Sequence, residues 1–279
     1  MTNDFAFFQS VGKRETQEDA AGVIAGTSLF FSCEAPEQSG RYASSISAVV
    51  CDGMGGHTSG EIAASLACRK FLETFNPDSE QSPNPDAMLA AACTSANEAI
   101  SQAVDSNSSL DGMGTTFAAV SVRGGLLHWV SVGDSHILLL RRRRLIKLNE
   151  DHSMRPVIDA MLRRGLIAPE DAARRSDRNA LRSALTGDSI DLIDRGAGGL
   201  PFAPGDIVLL ASDGLDVVGK SFIERALRGW WRGDLATRVR SIVFEADRVG
   251  GRGQDNTTLV AISSGGRAFS LAASAKARH

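Results

Sequence analysis

The sequence predicts an α+β fold in which antiparallel sheets are flanked by helices. β-Branched and aliphatic runs at 21–31, 46–51, 115–122, 126–132, 137–140, 207–211 and 257–262 read as strands. Stripes such as Leu89, Ala92, Ala96, Ala99, Ala103 and Leu235, Val239, Ile242, Val243, Ala246, Val249 recur every three or four residues and read as core-facing helices. Their order is strands, two helices across about 59–104, a strand meander, a helical insert, then strands and helices again. A doubly wound parallel sheet would alternate strand and helix strictly, and this chain does not.

With 279 residues, 43% of them hydrophobic, one domain can bury its core without disulfides or a structural metal. We assign it residues 1–265, with 266–279 as a poorly ordered tail and the Pro-, Gly- and Ser-rich stretches 32–45 and 76–86 as surface loops. The four cysteines are unevenly spaced and show no Cys-x-x-Cys pair, which predicts free thiols. A net charge of −3 gives no reason to expect a nucleic acid partner. No apolar run approaches the roughly 20 residues that cross a bilayer, and the first residues lack a signal profile, so we expect a cytoplasmic protein with no membrane partner. The run Arg141-Arg142-Arg143-Arg144 falls at an expected hairpin turn. It reads as a solvated turn, or alternatively as a docking point for an acidic or phosphorylated surface.

Chemistry concentrates at strand ends. Val49-Val50-Cys51-Asp52-Gly53-Met54-Gly55-Gly56-His57 runs from an apolar strand into a carboxylate and a glycine-rich turn, and Leu209-Leu210-Ala211-Ser212-Asp213-Gly214 repeats the pattern. Gln254-Asp255-Asn256 places a third carboxylate at a strand beginning, and adjacent antiparallel strands bring such ends to one sheet edge. Glu18-Asp19 adds an acidic pair, with Arg14 just upstream. Carboxylates packed together need cations or raised pKa values. Oxygen donors without a Cys or His pair favour magnesium or manganese.

Taken in order, Arg14 to Asp19, Asp52 to Glu61, Gly114-Thr115-Thr116, Gly133-Asp134-Ser135, Leu185-Thr186-Gly187-Asp188, Ser212-Asp213-Gly214 and Gln254-Asp255-Asn256 resemble the metal-dependent protein phosphatases of the type 2C (PPM) family in its bacterial form. The resemblance implies a four-layer α-β-β-α sandwich, two antiparallel sheets face to face with helices outside. It implies hydrolysis of phosphoserine and phosphothreonine in proteins by water activated by two or three Mn2+ or Mg2+ ions. By the same resemblance Asp52 bridges two ions, the Gly53 carbonyl ligates one, and Asp213 and Asp255 hold the other. Glu18 and Asp19 hold bound waters, Asp111 with Asp213 holds a third ion, and Arg14 grips the substrate phosphate. An exposed loop aspartate is the alternative for Asp111, and a surface arginine paired with Glu15 or Glu18 is the alternative for Arg14. The implied partners are phosphorylated proteins and a cognate serine/threonine kinase, with the chain a monomer. Residues 151–188 resemble a flap beside the site and are expected to select substrates.

Three positions depart from the family's pattern. Met54 stands where many eukaryotic members carry a histidine, which leaves the leaving-group acid unassigned, and His57 is read as supporting the turn. Gln17 replaces a common asparagine, and His136 a usual arginine. No Cys-x5-Arg loop supplies a nucleophile. The rival readings are a non-catalytic phosphoprotein-binding module, against which Asp52, Asp213 and Asp255 speak, and a two-metal hydrolase acting on nucleotides.

Overall fold

The structure, a computed structural model, describes residues 3–55, 59–75, 84–229 and 233–265. The strands are β1 (Asn3–Ser10), β2 (Asp19–Ala25), β3 (Ser28–Phe31), β4 (Glu37–Tyr42), β5 (Ser45–Met54), β6 (Gly114–Thr115) and β7 (Phe117–Arg123). They continue with β8 (Leu126–Val132), β9 (His136–Arg141), β10 (Arg144–Lys147), β11 (Asp194–Arg195), β12 (Leu200–Pro201), β13 (Ile207–Ala211) and β14 (Thr257–Ser263). The helices are α1 (Ser59–Thr74), α2 (Pro85–Ser106), α3 (Arg155–Arg163), α4 (Pro169–Arg174), α5 (Lys220–Leu227) and α6 (Leu235–Val249).

One sheet runs β10-β9-β13-β14-β1-β4; the other runs β11-β8-β7-β5-β2-β3, with β12 on β8 and β6 on β5. All the pairings are antiparallel. Because side chains alternate along a strand, each central strand feeds two cores. On β5, Ile46, Ala48 and Val50 face the other sheet, while Val49 and Cys51 meet Ala63, Ala67 and Phe71 of α1 and Leu89 and Ala96 of α2. On β14, Val260 and Ile262 face inward, and Leu259 and Ala261 pack under Val239, Ile242 and Val243 of α6. The result is the expected four layers. Burial on both faces also explains why these strands read as continuous apolar runs instead of alternating patterns.

The helix ends follow local rules. Asn84 accepts bonds from the Asp86 and Ala87 amides with Pro85 in the first turn of α2, and Asp234 accepts from the Thr237 amide at the start of α6.

Several expectations needed adjusting. The run 21–31 is a hairpin, β2 and β3, turning at Gly26 with φ +59. The stretch 32–45, expected to be a loop, contains β4, an edge strand paired with β1. Strand β1 itself went unpredicted, although Phe5 and Phe7 fill the inter-sheet core. Most of the expected 76–86 loop, His57 and the tail 266–279 lie outside the described residues. Residues 151–188 contain α3 and α4 and are tethered by bridges Ser153–Leu181 and Thr115–Leu185.

Removing Phe7 leaves a cavity between the sheets, so Phe7→Ala should lower unfolding free energy by about 3–5 kcal/mol in urea titration. Leu29, 59% exposed, should change it by no more than about 0.5 kcal/mol as Leu29→Ser. Equal effects of the two would contradict the layer assignment.

Candidate metal centre

The carboxylates converge where the ends of both sheets meet, not on a single sheet edge as the strand-end reading had it. Asp213 follows β13 and Asp255 precedes β14, and these strands pair antiparallel in one sheet. Asp52 lies near the end of β5 in the other sheet, with Asp19 on β2 as its register partner. By alternation Asp19 and Asp52 continue the inward faces that carry Ala21, Val23, Ala48 and Val50, so both point into the gap between the sheets.

Asp19 spans that gap. Its Oδ2 accepts hydrogen bonds from Ser212 Oγ and Thr258 Oγ1, both at 2.7 Å and both from the opposite sheet. Gln9 Nε2 donates to the Asp19 carbonyl and to Thr258 Oγ1. Asp52 is fixed through its backbone: its N–H donates to Thr116 Oγ1, and its carbonyl accepts from the Thr116 amide and Thr115 Oγ1, each at 2.9 Å. The Gly114-Thr115-Thr116 motif therefore holds Asp52.

The glycine after each aspartate is required by close packing. A Cβ on Gly53 would lie 2.1 Å from the Gly60 carbonyl oxygen, and one on Gly214 2.0 Å from that of Asn256. Neither has a positive φ, so close approach between backbones explains these Asp-Gly pairs and not the sharp turn that the sequence implied.

Asn256 joins three segments: its Oδ1 accepts from the Glu18 amide, while Nδ2 donates to the carbonyls of Val11 and Thr16. The Glu18 carbonyl in turn accepts from the Gly53 amide. Burial first, then Asp255 and Glu61, raise the Glu18 pKa against the pull of Arg14. Gln17 accepts from the Asp19 amide and donates to the Ser10 carbonyl, so the departure at this position keeps a supporting role. Arg14 lies over Asp255, Nη2 to Oδ2 at 2.5 Å, with more than half of its side chain exposed. Its partner is thus a candidate ligand and not Glu15 or Glu18.

Asp111 is exposed at the end of a short 3₁₀ turn. Asp134 is the residue that sequence reasoning passed over. It is buried, and its charge is the strongest of those raising the Asp213 pKa, acting also on Asp52. The signal was present, because Asp134 follows the apolar strand β8 just as Asp52 and Asp213 end theirs. Gly133, at φ +97, packs against Thr116, and its amide donates to His152 Nδ1. Ser135 Oγ lies 2.7 Å from Thr116 Oγ1.

Behind Asp134 and Asp213 lies a charged group. His136 Nε2 contacts Asp216 Oδ1 at 2.7 Å, Lys147 Nζ lies 3.0 Å from His136 Nδ1, and Arg155 of α3 also pairs with Asp216. With Lys147 donating to Nδ1, His136 presents Nε2–H to Asp216. Burial alone would raise the Asp216 pKa, but the His136 bond and Arg155 hold it at about 2.

The site's own carboxylates are shifted the other way. Burial pushes Asp19 up to about 7 despite its two hydroxyl donors, with Asp213 and Asp255 adding to the rise. Asp213 rises to about 6, through burial and then Asp134 and Asp255, and Asp52 is raised well above the usual range. Uncompensated negative charge among oxygen donors fits hard divalent cations. Asp52, the Gly53 carbonyl, Asp213 and Asp255 are the candidate ligands for them. Among the described residues no three His, Cys, Asp or Glu side chains group tightly enough to encircle one ion. Water would complete the coordination, as magnesium commonly retains it.

Such a cluster at the joint of two antiparallel sheets defines a candidate divalent-metal centre. Residues 37–163 match the protein phosphatase 2C family. The serine/threonine phosphatase stp of Listeria monocytogenes is 30% identical over 217 residues, covering 77% of this chain and 82% of that protein. The serine/threonine protein phosphatase PstP of Mycobacterium tuberculosis is 33% identical over 222 residues, covering 78% of this chain, which spans only 40% of that relative's length. The solved catalytic domain of PstP in complex with two manganese ions superposes with a TM-score of 0.71 at 29% identity, covering 94% of this chain and 99% of that one. The chain belongs to the protein phosphatase 2C family.

Between about pH 4, where unfolded carboxylates titrate, and about pH 7, the folded chain binds more protons through Asp19 and Asp213 than the unfolded chain does. These groups therefore make metal-free stability fall as pH rises through that window. Ions compete with protons for the same oxygens, so stabilisation by manganese should grow across it. Melting temperatures in chelator and in saturating manganese at pH 5 and pH 7.5 check this; a gap that does not widen counts against these carboxylates as the ion site.

Proposed function

We propose that this chain hydrolyses phosphoserine and phosphothreonine in proteins, with Asp52, the Gly53 carbonyl, Asp213 and Asp255 holding Mn2+ or Mg2+. The observation that carries this reading is the convergence of mutually repelling aspartates, Asp19 and Asp134 buried and Asp52, Asp213 and Asp255 half-buried, beside Arg14, in a family whose bacterial members are named serine/threonine phosphatases. Bound divalent ions would supply a water made acidic enough to act as nucleophile. Arg14 is positioned at the exposed rim, where its planar guanidinium can leave Asp255 for two phosphate oxygens. Asp19 and Glu18 act from behind, orienting the bound waters and keeping the two sheet edges in register. For a third ion, Asp134 together with Asp213 is the better assignment, since Asp134 is buried beside Asp213 while Asp111 stands in solvent.

The pairing of Arg155 with Asp216 ties α3, at the start of the 151–188 insert, to the metal edge. This supports the insert as a flap that contacts protein substrates. We extend the proposal to a cytoplasmic, monomeric enzyme opposing a cognate serine/threonine kinase.

In manganese, the purified chain should hydrolyse an aryl phosphate and a phosphothreonine peptide, and Asp213→Asn should lose at least about a hundredfold in kcat while melting cooperatively. Full turnover by that variant would sink the ligand assignment. Faster hydrolysis of nucleotides than of phosphopeptides would redirect the substrate class. A second comparison separates the two third-ion candidates: Asp134→Asn should cost about 10–100-fold, and Asp111→Asn less than about twofold. The reverse ranking would restore Asp111.

A further inference from the structure

The arginine run has a structural role that the metal centre does not use. Arg141 turns inward, its Nη2 2.6 Å from Oδ2 of the buried Asp206. Arg142 and Arg143 form the tip of the β9–β10 hairpin at φ 49 and 70, the only non-glycine residues with positive φ among those described. Asn and Gly are the ordinary occupants of such a turn, because side chains there crowd the backbone. Two arginines in these positions place cationic side chains where neutral turn residues would fold more easily.

Arg143 lines a cavity of about 390 Å3 together with Arg228, Arg238, Ile207, Ser264 and the Arg141-paired Asp206. That volume falls within the range of small-molecule sites. Arg228 donates to the Arg143 carbonyl and to Glu224, and Glu224 accepts from the Leu145 amide, so the hairpin is pinned to α5. Arg238 of α6 donates through Nη1 to the Leu227 carbonyl, and its buried Nε has no partner. Gly229, at φ +77, makes room for this guanidinium, since a Cβ there would lie 2.9 Å from Nη2. Among the described residues, neither Arg143 nor Arg238 has a carboxylate partner. Asp206 is engaged by Arg141, and Glu224 is shared between Arg228 and a backbone amide.

The cavity is remote from the metal edge. Leu140, Ile207 and Ser263 form one row across β9, β13 and β14, while His136, Ala211 and Leu259 form the row at the opposite end, next to Asp134, Asp213 and Asp255. At about 3.3 Å per residue the two rows lie about 13 Å apart.

We propose that this cavity is an anion site that takes a phosphate group on Arg143, Arg228 and Arg238, with the Ser264 hydroxyl as a neutral donor. Guanidinium forks match tetrahedral oxyanions, and a cavity holding two unpaired cations favours a dianion over a neutral ligand. The site does not depend on the reading of the metal centre. The phosphate can come from free inorganic phosphate or from a phosphorylated side chain docked at a distance from the reacting one.

Isothermal titration of the full chain in chelator, where the metal edge holds no cation, tests the proposal with inorganic phosphate and with a phosphoserine peptide. Phosphate should bind at one site per chain, at least about tenfold more weakly in Arg238→Gln and in Arg143→Gln, and unchanged in Arg14→Gln. Arg143 stands on a surface turn, so Arg143→Gln remains informative if Arg238→Gln fails to melt cooperatively. A peptide that binds more tightly than phosphate and weakens in Arg143→Gln identifies a phosphoprotein as the source. Equal or weaker peptide binding identifies free phosphate. No binding by the unmodified chain, binding that survives both cavity substitutions, or binding lost in Arg14→Gln would overturn the proposal.

Discussion

The active edge depends on keeping Asp19, Asp52, Asp134 and Asp213 close together where water is scarce. Burial disfavours the ionised form of each and nearby carboxylates add to the cost, while Arg155 eases it for Asp134 and Asp213. Asp19 is the one whose compensation comes wholly from within the chain, and its two hydroxyl donors lie on the opposite sheet. A hydrogen bond to a charged group contributes about 1.5–3 kcal/mol. The same bonds tie the sheets at the point where the apolar core between them ends. Among the described residues no side-chain hydroxyl bonds the carboxylate of Asp52, Asp134 or Asp213, and beyond the pull of Arg155 on the last two, cations are their natural complement. Stability and cation attraction are therefore set by the same geometry, since the carboxylate repulsion that burial makes costly is also what attracts cations.

That arrangement explains why the chain's recognisable motifs come as a set. Several segments carry a group that holds a different segment. Thr116 supports Asp52 and touches Ser135. His152, at the start of the insert, supports Gly133 beside Asp134. Gln254 donates to the Gly214 carbonyl next to Asp213, and Asn256 binds the turn that carries Arg14. Moving any one of them displaces a ligand that lies elsewhere in sequence, so the motifs interlock through polar contacts that no single segment reveals.

Much of this was legible in the sequence where local patterns carry it. Apolar runs ending in Asp-Gly located Asp52 and Asp213, and the helical stripes located α2 and α6, with Val249 alone ending exposed. What was illegible depends on tertiary partners. Strand β4 reads Glu-Gln-Ser-Gly-Arg-Tyr and has no apolar period, because it is an edge strand held by its pairing with β1. Asp134 follows an apolar strand much as Asp52 and Asp213 end theirs, whereas Asp111 follows a polar stretch, but the burial of Asp134 beside Asp213 depends on Gly133 packing on Thr116 and is not visible along the chain. His136, which replaces the expected arginine, gains its meaning from Asp216 and Lys147, one 80 residues downstream and the other on the paired strand.

Net charge concealed a further level of organisation. A total of −3 argued against polyanion binding, yet strands β9, β13 and β14 separate the charges that make up that total. Their ends beside Asp134, Asp213 and Asp255 are acidic, and their other ends open on Arg143, Arg228 and Arg238. Screening acts over about 8–10 Å at physiological ionic strength, less than the separation of the two ends, so each end acts largely on its own charge and not on the total. One end of these strands thus carries carboxylates and the other guanidinium groups, so a phosphate group meets complementary charge directly at the arginine end and, at the acidic end, only through Arg14 and cations bound by the carboxylates.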